Sequence, residues 1–125
     1  MNDKDKLILN IVNCLLGSCI RVREIHWNTH NQATHNLTNR VLPEIGEHID
    51  ELIELLSGVS ERPGFNILKP IVPGSKDLKE ILQALVIKSE MACDQLDEIP
   101  YKSVARALEE LIGDINVFVY LSDNF

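Results

Sequence analysis

The chain has 125 residues, a formal charge of −7 and 45 % apolar residues, with aromatics at only 5 %. That length suits one domain, residues 1–125, around a single aliphatic core. The negative charge disfavours nucleic acid, whose phosphates call for a basic face, and no apolar run approaches the ~18 residues of a membrane span.

The opening MNDKDK leads into an amphipathic pattern instead of a secretory apolar core, so the chain is expected to be soluble and cytoplasmic. In that tail Lys4 and Lys6 are cancelled by Asp3 and Asp5, and no strong nucleic-acid binding is expected. Cys14, Cys19 and Cys93 are odd in number, lack a C-x-x-C spacing and fall inside apolar helical patterns, which reads as reduced packing thiols.

Leu7, Ile8, Ile11, Cys14, Leu15, Ser18, Val22 and Ile25 recur at three-and-four spacing and predict a first helix from Lys4 to about Trp27. Asn28, Thr29, His30 and Asn31 predict a turn, because their side chains satisfy local backbone groups. A second helix is expected from about Ala33 to Leu56, with Leu37, Val41, Ile45, Ile49, Leu52, Ile53 and Leu56 buried and Ser57-Gly58 ending it. Pro43 is expected to kink that helix or to start a new segment, since it lacks the N–H that would bond the carbonyl of Asn39.

Residues 57–75 hold three prolines and three glycines and predict a long non-helical connection. A third helix is expected from about Lys76 or Asp77 to Glu98 and, after the Ile99-Pro100 break, a fourth from Tyr101 to Leu121. Short turns make each helix pair an antiparallel hairpin, and the long connection can return along the bundle. The expected fold is all-α: a ferritin-like four-helix bundle of two antiparallel hairpins joined by a long crossover.

The segment HWNTHNQATH, residues 26–35, concentrates three of the four histidines and the only tryptophan. Neutral imidazoles offer lone pairs to a metal or a proton, so the cluster reads as a coordination site, a proton relay or simply a polar turn. On the second helix Asp50 and Glu54 are spaced i, i+4 and could grip one hard cation, although such pairs also occur on solvated faces. His48 points away from that pair and is assigned to the surface. His35 and Asp50 are fifteen residues apart on one helix. They share a face roughly, yet are separated by ~22 Å along the axis, too far for one metal with ~2 Å bonds. If histidines and carboxylates cooperate, a two-fold partner running antiparallel must supply the missing half.

His26-Trp27-Asn28 at the end of the first helix, His35 early in the second and the Asp50/Glu54 pair fifteen residues later resemble the signature of the Dps-type miniferritins. The resemblance implies a ferroxidase site at a dimer interface, with His26 and His35 from one subunit, Asp50 and Glu54 from its mate, and Trp27 as the catalytic aromatic beside it. It implies iron as a di-iron or mono-iron site, oxidation of Fe(II) by peroxide or dioxygen, and a homo-oligomeric, twelve-subunit shell that stores ferric oxide. Three features depart from the pattern: the stretch between His26 and His35 is three residues short, Asn39 stands where an acidic residue is expected, and the chain lacks a basic tail. A neutral amide is a poorer iron ligand than a carboxylate, and the short turn could bring in His30. The rival expectations are a ferritin-like structural or assembly protein without redox activity, and a hydrolytic zinc bundle using Glu47 or Glu24 as base.

Overall fold

The computed structural model describes residues 1–60 and 68–123. These contain four α-helices and no strand: α1 (Asp3–Asn28), α2 (Gln32–Val59), α3 (Leu78–Leu96) and α4 (Lys102–Ser122). No described helix is long and apolar enough to cross a membrane.

Each start has a local cause. The Asn2 side chain accepts from the Asp5 N–H and Asp3 and Asp5 occupy the first turn of α1, where the helix dipole favours negative charge. Asn31 caps α2 through the Thr34 N–H, and Asp77 caps α3 through the N–H groups of Lys79 and Glu80. The ends differ modestly from the sequence expectation. α2 runs past Ser57 and Gly58 to Val59, and the Ser57 hydroxyl donates to the Ile53 carbonyl inside that last turn. α3 ends at Leu96, before Glu98. Pro43 lies within α2, which continues on both sides of it.

The contacts fix the direction of every helix. At one end, Ser60 after α2 donates to the Asp5 carboxylate of α1, Lys4 pairs with Glu98 after α3, and the Asn2 amide donates to the Tyr101 hydroxyl before α4. At the other end His26 of α1 meets Thr38 of α2, and Lys79 of α3 pairs with Asp123 after α4. α1 packs against α2 and α3, and α4 against the same two, so neighbouring helices are antiparallel and α2 and α3, both starting at the second end, lie across the diagonal.

The core is aliphatic, with Leu15, Val41, Ile45, Leu56, Leu82, Leu111 and Ile115 fully buried. The apolar positions expected for α1 and α2 are buried or packed against this core. His48 is a correction: it is not on the surface but 7 % exposed, its Nε2 lying 2.8 Å from Asp114 Oδ2 of α4. Val41, Ile45, His48 and Leu52 are spaced four, three and four apart, which puts the imidazole on the inward stripe.

The return of the chain after α2 lies partly outside the described residues, and residues 68–77 carry no helix. They run along α1 in one register. The N–H groups of Lys69 and Ile71 donate to the side-chain and main-chain oxygens of Asn13, and Arg21 Nε donates to the Pro73 carbonyl. A Cβ on Gly17, midway between, would lie 1.9 Å from the Ile71 oxygen. Asn13, Gly17 and Arg21 are one helical turn apart, ~6 Å per step, and alternate residues of an extended chain rise by about the same amount. The two periods match, so one ridge of α1 holds the segment.

Candidate metal centre

The α1–α2 turn is built by its own polar side chains. The Thr29 N–H closes α1 onto the Ile25 carbonyl, the Asn28 amide donates to the Glu24 carbonyl, and Thr29 Oγ1 accepts from the Asn31 N–H just before Asn31 caps α2. The hairpin so formed brings two of the predicted ligands together: the His26 and His35 rings stack with centroids 4.0 Å apart and planes at 23°.

Thr38, one turn after His35 and fully buried, fixes the tautomer of His26. Its hydroxyl has one hydrogen, which it donates to the His35 carbonyl at 2.8 Å. Its oxygen is also 2.8 Å from His26 Nδ1, so there it can only accept. Neutral His26 therefore carries its proton on Nδ1 and leaves the Nε2 lone pair free. A metal-binding imidazole is oriented in the same manner when its other nitrogen donates to a fixed acceptor.

The carboxylates stand elsewhere. Asp50 and Glu54 are exposed on α2, fifteen or more residues beyond His35, and the axial separation of ~22 Å keeps them from the imidazoles of the same chain. Among the described residues no three His, Cys, Asp or Glu side chains converge on one point. Asn39 is exposed, as are His30 and Glu47. Trp27 is 71 % exposed and so does not seal the end of α1 within a single chain. Glu24 receives Arg21 at 3.4 Å. A cleft of about 690 Å³ opens near this end between Arg21, Glu24, Ile25, Thr34, Asp77 and Leu78, and none of the four predicted ligands lines it.

Two polar networks were not anticipated from the sequence. One is the His48–Asp114 pair, whose ionised carboxylate can only accept, so Nε2 donates. The other surrounds Asp5, 3 % exposed, which accepts from the Tyr101 hydroxyl at 2.8 Å and from Ser60 at 2.6 Å. The Asn2 amide pulls the Tyr101 hydroxyl down, but its bond to Asp5, burial and the Asp5 charge together push it above the ordinary tyrosine value. The three cysteines are free thiols; burial pushes Cys19 and Cys93 up, opposed at Cys19 by Arg23 and reinforced at Cys93 by Glu109, Asp94 and Asp97.

The chain matches no family model, no curated protein and no solved structure.

Proposed function

We propose that this chain is a short miniferritin that binds Fe(II) and oxidises it at a site shared between two antiparallel copies. His26 and His35 come from one copy, Asp50 and Glu54 from the other. The observation that carries the reading is the His26–His35 pair with its tautomer set by Thr38. The stacking sets both imidazoles at one end of the α1–α2 hairpin, and imidazole with carboxylate suits iron.

The direction of the helices supports the same reading, since antiparallel neighbours joined by one long return are what a ferritin-like bundle requires. So does symmetry. His35 and Asp50 lie equally far along α2 from the level of Leu42 and Pro43. A two-fold axis crossing α2 there sets His35 of one copy level with Asp50 of the other. Ile20 of α1, close to that level by the His26–Thr38 and Asp5–Ser60 registers, is an exposed aliphatic side chain that a second copy would cover, and Trp27, further along α1, is an exposed aromatic one.

Each bound Fe(II) gives one electron to dioxygen or peroxide, which is reduced to water with uptake of protons. The carboxylates favour the more highly charged ferric product, and Trp27 stands next in sequence to a ligand, where it can intercept stray oxidising equivalents. Asn39 leaves one metal position weak, and the acidic surface of an assembled homo-oligomeric shell receives the product. Free thiols throughout agree with a cytoplasmic home.

The test is Fe(II) oxidation followed optically, with dioxygen and with peroxide. The unmutated protein is expected to outpace buffer and His26→Ala to lose most of that rate. An unmutated protein no faster than buffer would leave a ferritin-like structural or assembly scaffold, the reading that Asn39 favours.

A further inference from the structure

His30 is the one histidine of the turn that the shared site does not use. It is exposed, and among the described residues its imidazole makes no hydrogen bond or ring contact. His35, half-buried, stacks on His26 but makes no side-chain hydrogen bond among the described residues. Both line a recess of about 90 Å³ together with Thr29, Asn31 and Gln32. That volume equals about three waters, enough for an ion with part of its hydration shell. The other walls are already committed: Thr29 Oγ1 accepts from the Asn31 N–H, Asn31 Oδ1 accepts from the Thr34 N–H, and the Gln32 amide nitrogen donates to Asn36. Those bonds hold the recess in shape while leaving Gln32 Oε1 free to face an ion or its water.

We propose that His30 and His35 form, within one chain, a second binding position for a divalent transition-metal ion at the α1–α2 turn. Two imidazoles without a carboxylate select against Mg²⁺ and Ca²⁺, which want oxygen, and favour Cu²⁺, Ni²⁺ and Zn²⁺, with Cu²⁺ the tightest of the series. The turn is closed by capping bonds, so little ordering is needed when the ion enters. His35 is common to this position and to the shared iron site, so an inert ion held here competes with iron for that imidazole. The binding itself rests on none of the iron reading, because neither Asp50 nor a second copy takes part.

The experiment is a calorimetric titration with Ni²⁺, which is redox-inert under these conditions, on the full chain and on His30→Ala, His35→Ala and the double variant Asp50→Ala/Glu54→Ala. The unmutated protein is expected to bind one Ni²⁺ per chain. His30→Ala, at an exposed side chain without bonds, folds normally and weakens binding by roughly tenfold or more, as does His35→Ala. In the carboxylate variant, where the shared site has lost its oxygen ligands, Ni²⁺ still binds, and His30→Ala added to that variant still weakens the binding by roughly tenfold or more. No Ni²⁺ binding to the carboxylate variant, or binding there unchanged by His30→Ala, would overturn the proposal, while the shared iron site is read separately from Fe(II) oxidation by the unmutated protein.

Discussion

The Thr38 hydroxyl stands between two histidines, donating to the His35 carbonyl and accepting from His26 Nδ1, each at 2.8 Å. It thereby fixes which nitrogen of His26 can meet an ion. Thr38→Val keeps the shape and removes both bonds. It is expected to slow Fe(II) oxidation by about 10- to 100-fold while costing about 1–2 kcal/mol of stability. Oxidation kinetics and a thermal melt read the two effects separately; a full rate in a destabilised protein would make Thr38 structural only.

Gly17 lets the return segment lie against α1. A Cβ there meets the Ile71 oxygen at 1.9 Å and its carbon at 2.1 Å, and both are backbone, which cannot swing aside. Gly17→Ala is expected to cost about 1–3 kcal/mol or more and to raise amide exchange at Ile71, whose N–H loses Asn13. Gly113, in α4 with nothing within 4 Å of an added Cβ, is the control: Gly113→Ala gains about 0.5–1 kcal/mol. Denaturant unfolding of the two variants should move in opposite directions.

The buried Asp5 carboxylate joins α1 to Tyr101 before α4 and to Ser60 after α2. Asp5→Ala removes the acceptor of both hydroxyls, leaving Tyr101 only its bonds with Asn2, and is expected to cost about 2–4 kcal/mol, with Asp5→Asn costing less because it keeps one acceptor. The Tyr101 hydroxyl is held above its ordinary value, so the folded state keeps a proton that the unfolded chain loses near pH ~10. Stability therefore falls as pH rises through and above that point. Chemical denaturation repeated between neutral and strongly alkaline pH checks the sign.

Burial pushes the Cys19 and Cys93 thiols up, and at Cys93 the carboxylate of Glu109 adds to it. Thiolate is the reactive form, so both should alkylate more slowly than free cysteine at about pH 8.5. Mass-resolved iodoacetamide labelling against free cysteine decides this. Labelling as fast as the free amino acid would contradict the stated environments.

The four helices were legible because their aliphatic residues keep a helical period without interruption: Leu37, Val41, Ile45, Ile49, Leu52 and Leu56 lie buried as the spacing required. The cap at Asp77 was legible to within a residue. The end of α2 was not, since Gly58 costs a helix only about 1 kcal/mol and Ser57 bonds within the turn. Set against Asp50 and Glu54 alone, His48 falls on the surface, whereas its spacing from Val41, Ile45 and Leu52 points inward. What no local pattern could reveal are partners far apart in sequence: Asp114 for His48, Tyr101 for Asp5, and the Asn13, Gly17 and Arg21 ridge under residues 69–73. Within the site, the sequence put His26 and His35 at one end of the hairpin, whereas their stacking carried no signal and Thr38 none beyond its spacing from His35.

Ligands drawn from two chains, as proposed, are tested most directly by complementation. His26→Ala and Asp50→Ala proteins are each expected to oxidise Fe(II) at a small fraction of the unmutated rate. Unfolded together and reassembled, they form mixed pairs in which one interface carries all four unmutated ligands, and activity should return in part. Activity that stays at the level of the separate variants, in a mixture shown to contain mixed pairs, would contradict a site shared between copies.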